Sequence, residues 1–248
     1  MPRRRIHHAG PRARSRARRL ETVGWSRDPK SGLACSGLWR VRNGCAGQSH
    51  SALSIMSQRS HLTAAGLISL VFLAGGLLAE STRQMLRWSR EAPAIEWLWR
   101  SWCAHWVHLD LNHALVNAAG FLLVAAWLST AFTLTGWAIV IVAAIVAIDV
   151  GLWWLTRFEW YVGASAMIHA LAAAGITVKL FEGERFSRWV ALAGLLKLAY
   201  EQLAMPVALV GGATAAVDAH LFGVVAGALC GSVFASTGWC RARSVTLS

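Results

Sequence analysis

Residues 136–155 read GWAIVIVAAIVAIDVGLWWL. Wound as a helix, an apolar run of about 20 residues crosses the ~30 Å of hydrocarbon in a bilayer. Its wealth of Ile and Val suits contact with lipid. Runs of similar character recur at about 62–79, 111–128, 163–181, 190–211 and 216–236. Unpaired backbone amides are too costly in lipid for open structures, so each run is expected to be a helix. The fold class that follows is all-α: a polytopic membrane protein with six transmembrane helices. Hydrophobic residues make up 56% of the chain, above the roughly 45–50% of soluble domains, and the mean hydropathy is positive, +0.46. The fourth and sixth runs are rich in Gly and Ala, which let helices approach closely, so these two are expected at the centre. Between the first two runs, residues 80–110 interleave Trp88, Trp97, Trp99, Trp102 and Trp106 with Arg83, Arg87, Arg90 and Arg100. Trp and Arg together favour the headgroup region, which predicts an interfacial loop.

The formal charge of +12 is unevenly spread. Residues 1–60 hold 13 of the 24 Lys and Arg with only Glu21 and Asp28 as acids, a net of +11, whereas residues 61–248 net +1. The basicity belongs to a tail, and nucleic-acid binding is not expected of the folded part. The expected organisation is a disordered basic segment over 1–58, a membrane domain over 59–240 and a short tail over 241–248. The first segment lacks the hydrophobic periodicity needed to bury a core. No apolar stretch follows its first arginines, so no signal peptide is read there. Met56 is read as the start of the functional chain, with residues 1–55 an over-extension. Six spans put both ends on one side, and counting the basic tail, that side is cytoplasmic. Cys35, Cys45, Cys103, Cys230 and Cys240 form neither a C-x-x-C nor another metal spacing, and no disulfide framework is expected.

Ionisable and polar groups inside spans are costly and mark candidate function. His113 and Asn117 stand four apart at the start of the second run, on one helical face, where both can donate to one oxygen. Interhelical hydrogen bonding is the competing reading. Ser165 lies in GASAMIHA, residues 163–170, at the start of the fourth run. Gly163, Ala164 and Ala166 leave room around it, and the free amides of a helix start favour negative charge. His169 lies one turn further on the same face. His220 opens the sixth run, where Gly223 and Gly227 form a small-x-x-x-small pair. A serine is a weak nucleophile without a base, and His220 can serve as one. Taken alone, Ser165 is more often a small packing residue and His220 more often a membrane-edge histidine facing headgroups, while for His113 and Asn117 the two readings weigh equally. Lys197 and Glu201, four apart in the fifth run, are read as a structural ion pair. Asp218 precedes His220 by two residues and so does not face it on a helix. A zinc site built from His105, His108 and His113 with His169 or His220 is a rival reading. Its H-x₂-H-x₄-H spacing matches no helical metal motif, and no H-E-x-x-H occurs; no metal or cofactor is expected.

Residues 97–239 resemble the rhomboid intramembrane proteases. The carriers of the resemblance are Trp99-Arg100, His113-x-x-x-Asn117, Gly163-Ala164-Ser165 and Ala219-His220-x-x-Gly223-x-x-x-Gly227, in the family's order and spans. The resemblance implies a rhomboid-like bundle and a serine endopeptidase with a Ser165–His220 dyad and no acidic third member. It implies oxyanion contacts from His113, Asn117 and the Ser165 amide beside Gly163, and places His169 against the catalytic histidine. A histidine there, with the WR…H…VHL…NH…VN run, is most similar to the rhombosortase subgroup. That subgroup implies a multi-pass protein of the bacterial inner membrane with its site toward the periplasm. Its substrates are exported proteins bearing C-terminal Gly-Gly transmembrane anchors. The sequence departs from the family at Ala166, where a Gly is usual, and this one methyl supports the alternative of a weak or inactive rhomboid-like protein that binds transmembrane helices.

Overall fold

The computed structural model describes residues 43–129, 131–203 and 217–238, with residues 43–57 as backbone only. The elements run α1 (Asn43–Gly76), α2 (Glu80–Leu86), β1 (Trp88–Ser89), α3 (Ala94–Cys103), α4 (Leu111–Leu128) and α5 (Leu134–Leu155). They continue with β2 (Trp160–Tyr161), α6 (Ser165–Phe181), α7 (Arg185–Leu203) and α8 (Val217–Thr237). A helix stands at each of the six expected runs. Three of them, α4, α5 and α8, are long and apolar enough to cross a membrane by themselves. Gln58–Gly76 qualifies only together with α2, from which it is bent by 118° at the break, and the pair counts as a fourth candidate span if it is read as one. At 17 residues, α6 spans only about 26 Å. Arg185, Arg188, Lys197 and Glu201 make α7 too charged to qualify by composition. The protein is thus a helical, multi-pass membrane protein. α1 begins at Asn43, inside the segment expected to be irregular. The rest of that segment, residues 204–211 of the fifth run and the tail 241–248 lie outside the described residues.

Capping decides where the central helices start. Asp110 accepts the His113 amide at 2.8 Å and opens α4, and Thr133 does the same for Gly136 at the head of α5. α6 begins at Ser165 and not at 163, because Gly163 has φ +120°, outside helical space.

α6 is the core helix, as its small residues predicted. Ala166, Ala170, Leu171, Ala174 and Val178 are all buried. α8 lies directly on it: a side chain on Gly223, Gly227 or Gly231 would strike the carbonyl oxygens of Ala166, Ala170 and Ala174 in turn. This ladder of three glycines, four residues apart, against carbonyls lets α6 and α8 pack backbone to backbone. α5 packs on the same pair, with Gly151 against the Phe222 ring. The sequence reading gave α5 to lipid; the structure corrects this for one face. Val140, Ala144, Ile148 and Leu152 are buried there together with Asp149, which lies 3.2 Å from His105. On the outward faces Leu67, Leu123, Val146, Leu195 and Leu229 are exposed, a surface that only lipid or a partner covers.

The loop over 80–110 is organised by its arginines, which the sequence assigned to headgroups. Arg90 donates to four carbonyls at the end of α5: Leu152, Trp153, Thr156 and Phe158, at 2.6–3.2 Å. A planar guanidinium matches a helix C-terminus, whose last carbonyls lack partners and carry negative partial charge. Arg100 bonds Glu96 and the carbonyls of Gln84 and Arg87, stitching α2 to α3. Trp99 and Trp102 stay exposed and keep the interfacial reading, whereas Trp88 is fully buried. β1 pairs antiparallel with β2, Trp88 opposite Tyr161, so the loop is clamped to the strand that leads into Ser165.

Candidate active site

Two helix starts meet at the site. Ser165 is the first residue of α6, and His220 lies in the first turn of α8. The glycine ladder holds these starts side by side, and Ser165 Oγ lies 2.9 Å from His220 Nε2 across 55 residues of sequence. The first-turn amides of α6 have no acceptor within the helix, so the serine sits in a field that favours a developing negative charge.

The approach to Ser165 is shaped by residues 161–164. Gly163 donates its amide to the Ala104 carbonyl at 2.9 Å. Its carbonyl accepts the Tyr161 hydroxyl at 2.7 Å. Burial pushes the Tyr161 phenol well above its ordinary range, so it remains a donor. A Cβ on Gly163 would sit 2.8 Å from His113 Cε1 and 3.2 Å from Nε2. The His113 ring therefore lies directly against the strand entering Ser165. Leu109 donates its amide to His113 Nδ1 at 3.4 Å, which leaves the proton on Nε2, the nitrogen on the Gly163 side. Asn117, one turn on, is buried and gives one amide N–H to the His113 carbonyl at 2.9 Å. Its second N–H is left for another acceptor.

His169 stacks on His220, ring centroids 4.4 Å apart and planes 17° from parallel. Its Nδ1 lies 2.7 Å from the Ser165 carbonyl and its Nε2 3.1 Å from Lys197 Nζ. Lys197 pairs with Glu201 Oε1, as the sequence anticipated. The other carboxylate oxygen, Oε2, lies 3.1 Å from His220 Nδ1. The resemblance implied no acid beside the histidine; an acid is there, and it comes from α7. Asp218 makes no such approach.

The zinc reading does not survive as framed. His105 is engaged with Asp149, and His108 is buried between Phe72 and His113. Among the described residues, the one set with metal-ligand spacing is His169, Glu201 and His220, whose ligand atoms lie within 4.8 Å of one another. The Lys197 ammonium already bridges two of them.

Ser–His contact at two helix starts, a donor histidine four residues before an asparagine, and a glycine ladder now stand together. Comparison with known families matches residues 96–237, from α3 to the end of α8, to the Rhomboid domain. The chain belongs to the rhomboid family. Rhomboids are intramembrane serine proteases that act on transmembrane substrates within the bilayer. No curated protein and no solved structure matches the chain.

Sequence reasoning about this rhomboid missed three residues around the site. Asp149 is a single acid in an otherwise apolar run, and that cost was itself the signal. Glu201 was seen, but only with its helical neighbour. Tyr161 carried no signal, since one buried tyrosine resembles any core aromatic.

Proposed function

We propose that this rhomboid is an intramembrane serine endopeptidase in which Ser165 is the nucleophile and His220 its base. The approach of Ser165 Oγ to His220 Nε2, 2.9 Å, carries the reading. A substrate helix unwinds at a small-residue stretch, most readily where Gly weakens the helix. Ser165 Oγ attacks the exposed carbonyl carbon while its proton passes to His220 Nε2. The oxyanion accepts hydrogen bonds from the Ser165 amide, His113 Nε2–H and the free Asn117 N–H, with Gly163 leaving the space they need. His220 then returns the proton to the departing amine nitrogen, and water hydrolyses the acyl-enzyme by the same path. His169 braces the His220 ring. No cofactor enters these steps.

Within the family, the histidine at 169 and the WR…H…VHL…NH…VN run favour a rhombosortase acting on C-terminal Gly-Gly anchors of exported proteins. In that reading the protein crosses the bacterial inner membrane six times with both ends in the cytoplasm. Residues 113, 165 and 220 each start an even-numbered span, so all three fall on the periplasmic side. The buried Ala166 methyl makes the inactive alternative the one to exclude.

The test is co-expression with an exported reporter ending in Gly-Gly, an apolar helix and a basic tail. The wild type is expected to release the reporter. Ser165→Ala and His220→Ala should each lower release by at least about 10³-fold, and a fluorophosphonate probe should label the wild type but not Ser165→Ala. Undiminished release in either variant overturns the assignment. Equal release from a Leu-Leu reporter overturns the Gly-Gly specificity alone.

A further inference from the structure

Five groups around the nucleophile close into one ring of contacts. Ser165 Oγ meets His220 Nε2 at 2.9 Å, and His220 Nδ1 meets Glu201 Oε2 at 3.1 Å. Glu201 Oε1 holds Lys197, Lys197 Nζ meets His169 Nε2 at 3.1 Å, and His169 Nδ1 meets the Ser165 carbonyl at 2.7 Å. The proton positions around this ring are not free. A carbonyl only accepts, so His169 Nδ1 carries the hydrogen and its Nε2 offers a lone pair to the ammonium. An ionised carboxylate only accepts as well, so His220 Nδ1 carries the hydrogen and Nε2 presents its lone pair to the serine. That is the tautomer a general base needs. The stacked His169 ring touches the face of His220 and offers no in-plane acceptor, so it cannot make this choice.

From this we infer that Glu201 is a positioning residue: it fixes His220 in the tautomer that accepts the Ser165 proton, and makes a triad of what family resemblance presents as a dyad. The inference rests on the proposed protease reading. The Glu201 side chain is 14% exposed, whereas that of Lys197 is 52% exposed. A surface ion pair leaves both partners in water; here the carboxylate points inward and the ammonium stays at the rim. During attack the serine proton moves to Nε2 and the ring becomes an imidazolium with hydrogen on both nitrogens. Glu201 keeps its charge, accepts the Nδ1–H throughout and stabilises the cation. Lys197, on the opposite oxygen, balances the buried carboxylate in the resting state, so that the acid is ionised when needed. Among the described residues, the charged or titratable groups facing His220 are then Glu201 and Lys197 from α7 and His169 from α6.

The test compares wild type, Ser165→Ala, Glu201→Gln and Glu201→Asp in detergent on a purified transmembrane substrate, with ¹⁵N-histidine spectra of each protein. His220 is assigned by the signal lost in His220→Gln. The wild type should show the His220 Nδ1–H tautomer. Glu201→Gln should lose that single tautomer and lower kcat by about 10²- to 10⁴-fold, with KM within about twofold. Glu201→Asp, which keeps the acceptor, should recover at least tenfold of the loss and restore the tautomer. A kcat within about twofold of wild type with the tautomer unchanged in Glu201→Gln overturns the inference while Ser165→Ala remains inert. Persistent cleavage by Ser165→Ala instead overturns the protease reading beneath it. If Glu201→Gln gives no folded spectrum, Glu201→Asp decides: a wild-type tautomer with reduced kcat supports the role, and loss of the tautomer at undiminished kcat overturns it.

Discussion

Gly163 shows how much one residue decides beside Ser165. Its φ of +120° is closed to side chains, and a methyl there would press on His113 Cε1 at 2.8 Å. Gly163→Ala should therefore cost about 1–3 kcal/mol of backbone strain and turn His113 away from the position proposed for the oxyanion. Loss of one such donor costs about 10²- to 10³-fold in kcat, so Gly163→Ala and His113→Ala should fall by similar factors. Initial rates with the Gly-Gly reporter measure this, and a kcat for Gly163→Ala within a factor of three of wild type contradicts it. His108, in the loop before α4, makes a second prediction. It is buried with no hydrogen bond of normal geometry at either ring nitrogen. Burial, reinforced by His113, pushes it down to about 3, against weaker upward pulls from the Trp106 backbone and Asp110. In the unfolded chain the same imidazole titrates near 6.5. Between those values the unfolded state binds the extra proton, so the contribution is complete above about pH 6.5 and declines toward pH 3. The slope is at most about 1.4 kcal/mol per pH unit. Melting in detergent from pH 7 to pH 4 should fall more steeply for wild type than for His108→Phe; parallel curves refute the point.

At the scale of elements, the pairing of α6 with α8 governs the site. Gly227 faces the Ala170 carbonyl so closely that any side chain must part the helices. Gly227→Ala should cost about 1–3 kcal/mol. Gly227→Leu should move His220 away from Ser165, lowering both turnover and fluorophosphonate labelling by more than tenfold. Labelling at the wild-type rate in Gly227→Leu shows that the ladder does not set the distance. This contact was legible in the sequence, because Gly223 and Gly227 repeat at the spacing of one helical face. The α4 bounds were legible from hydropathy, since the apolar run read at 111–128 is the helix that forms. What could not be read lies between elements. Arg90 reaches the end of α5 across more than 60 residues, Asp149 reaches His105 across 44, and Glu201 reaches His220 across 19. A pattern along one helix names its buried face but not the side chain that meets it. Thus Lys197 and Glu201 were correctly paired by their i,i+4 spacing, while the second carboxylate oxygen, aimed at another helix, left no trace in that spacing.

For the whole molecule the open quantity is the path through the bilayer, and the loops on either side of α6 test it. α6 is short for a crossing, and α7 carries four charges. Yet α6 is enclosed by α4, α5 and α8, so a short apolar helix there meets protein where a lone span would meet lipid. The charges of α7 are partly neutralised within the fold, Lys197 with Glu201. The proposed six crossings, with both ends in the cytoplasm, would place the turn before α6 outside and the turn after it inside. Arg157 and Glu182 are exposed in those two turns. In a chain whose native cysteines are replaced by serine, Arg157→Cys should react with a membrane-impermeant maleimide on intact spheroplasts. Glu182→Cys should react only after permeabilisation, and both should retain cleavage of the reporter. Labelling of both from the same side means that α6 does not cross. Ser165 would then open a re-entrant helix, and the periplasmic placement of the site would fall with the sixth crossing. Labelling of Glu182→Cys from outside with Arg157→Cys protected inverts the molecule, and the exported Gly-Gly anchors could no longer be its substrates.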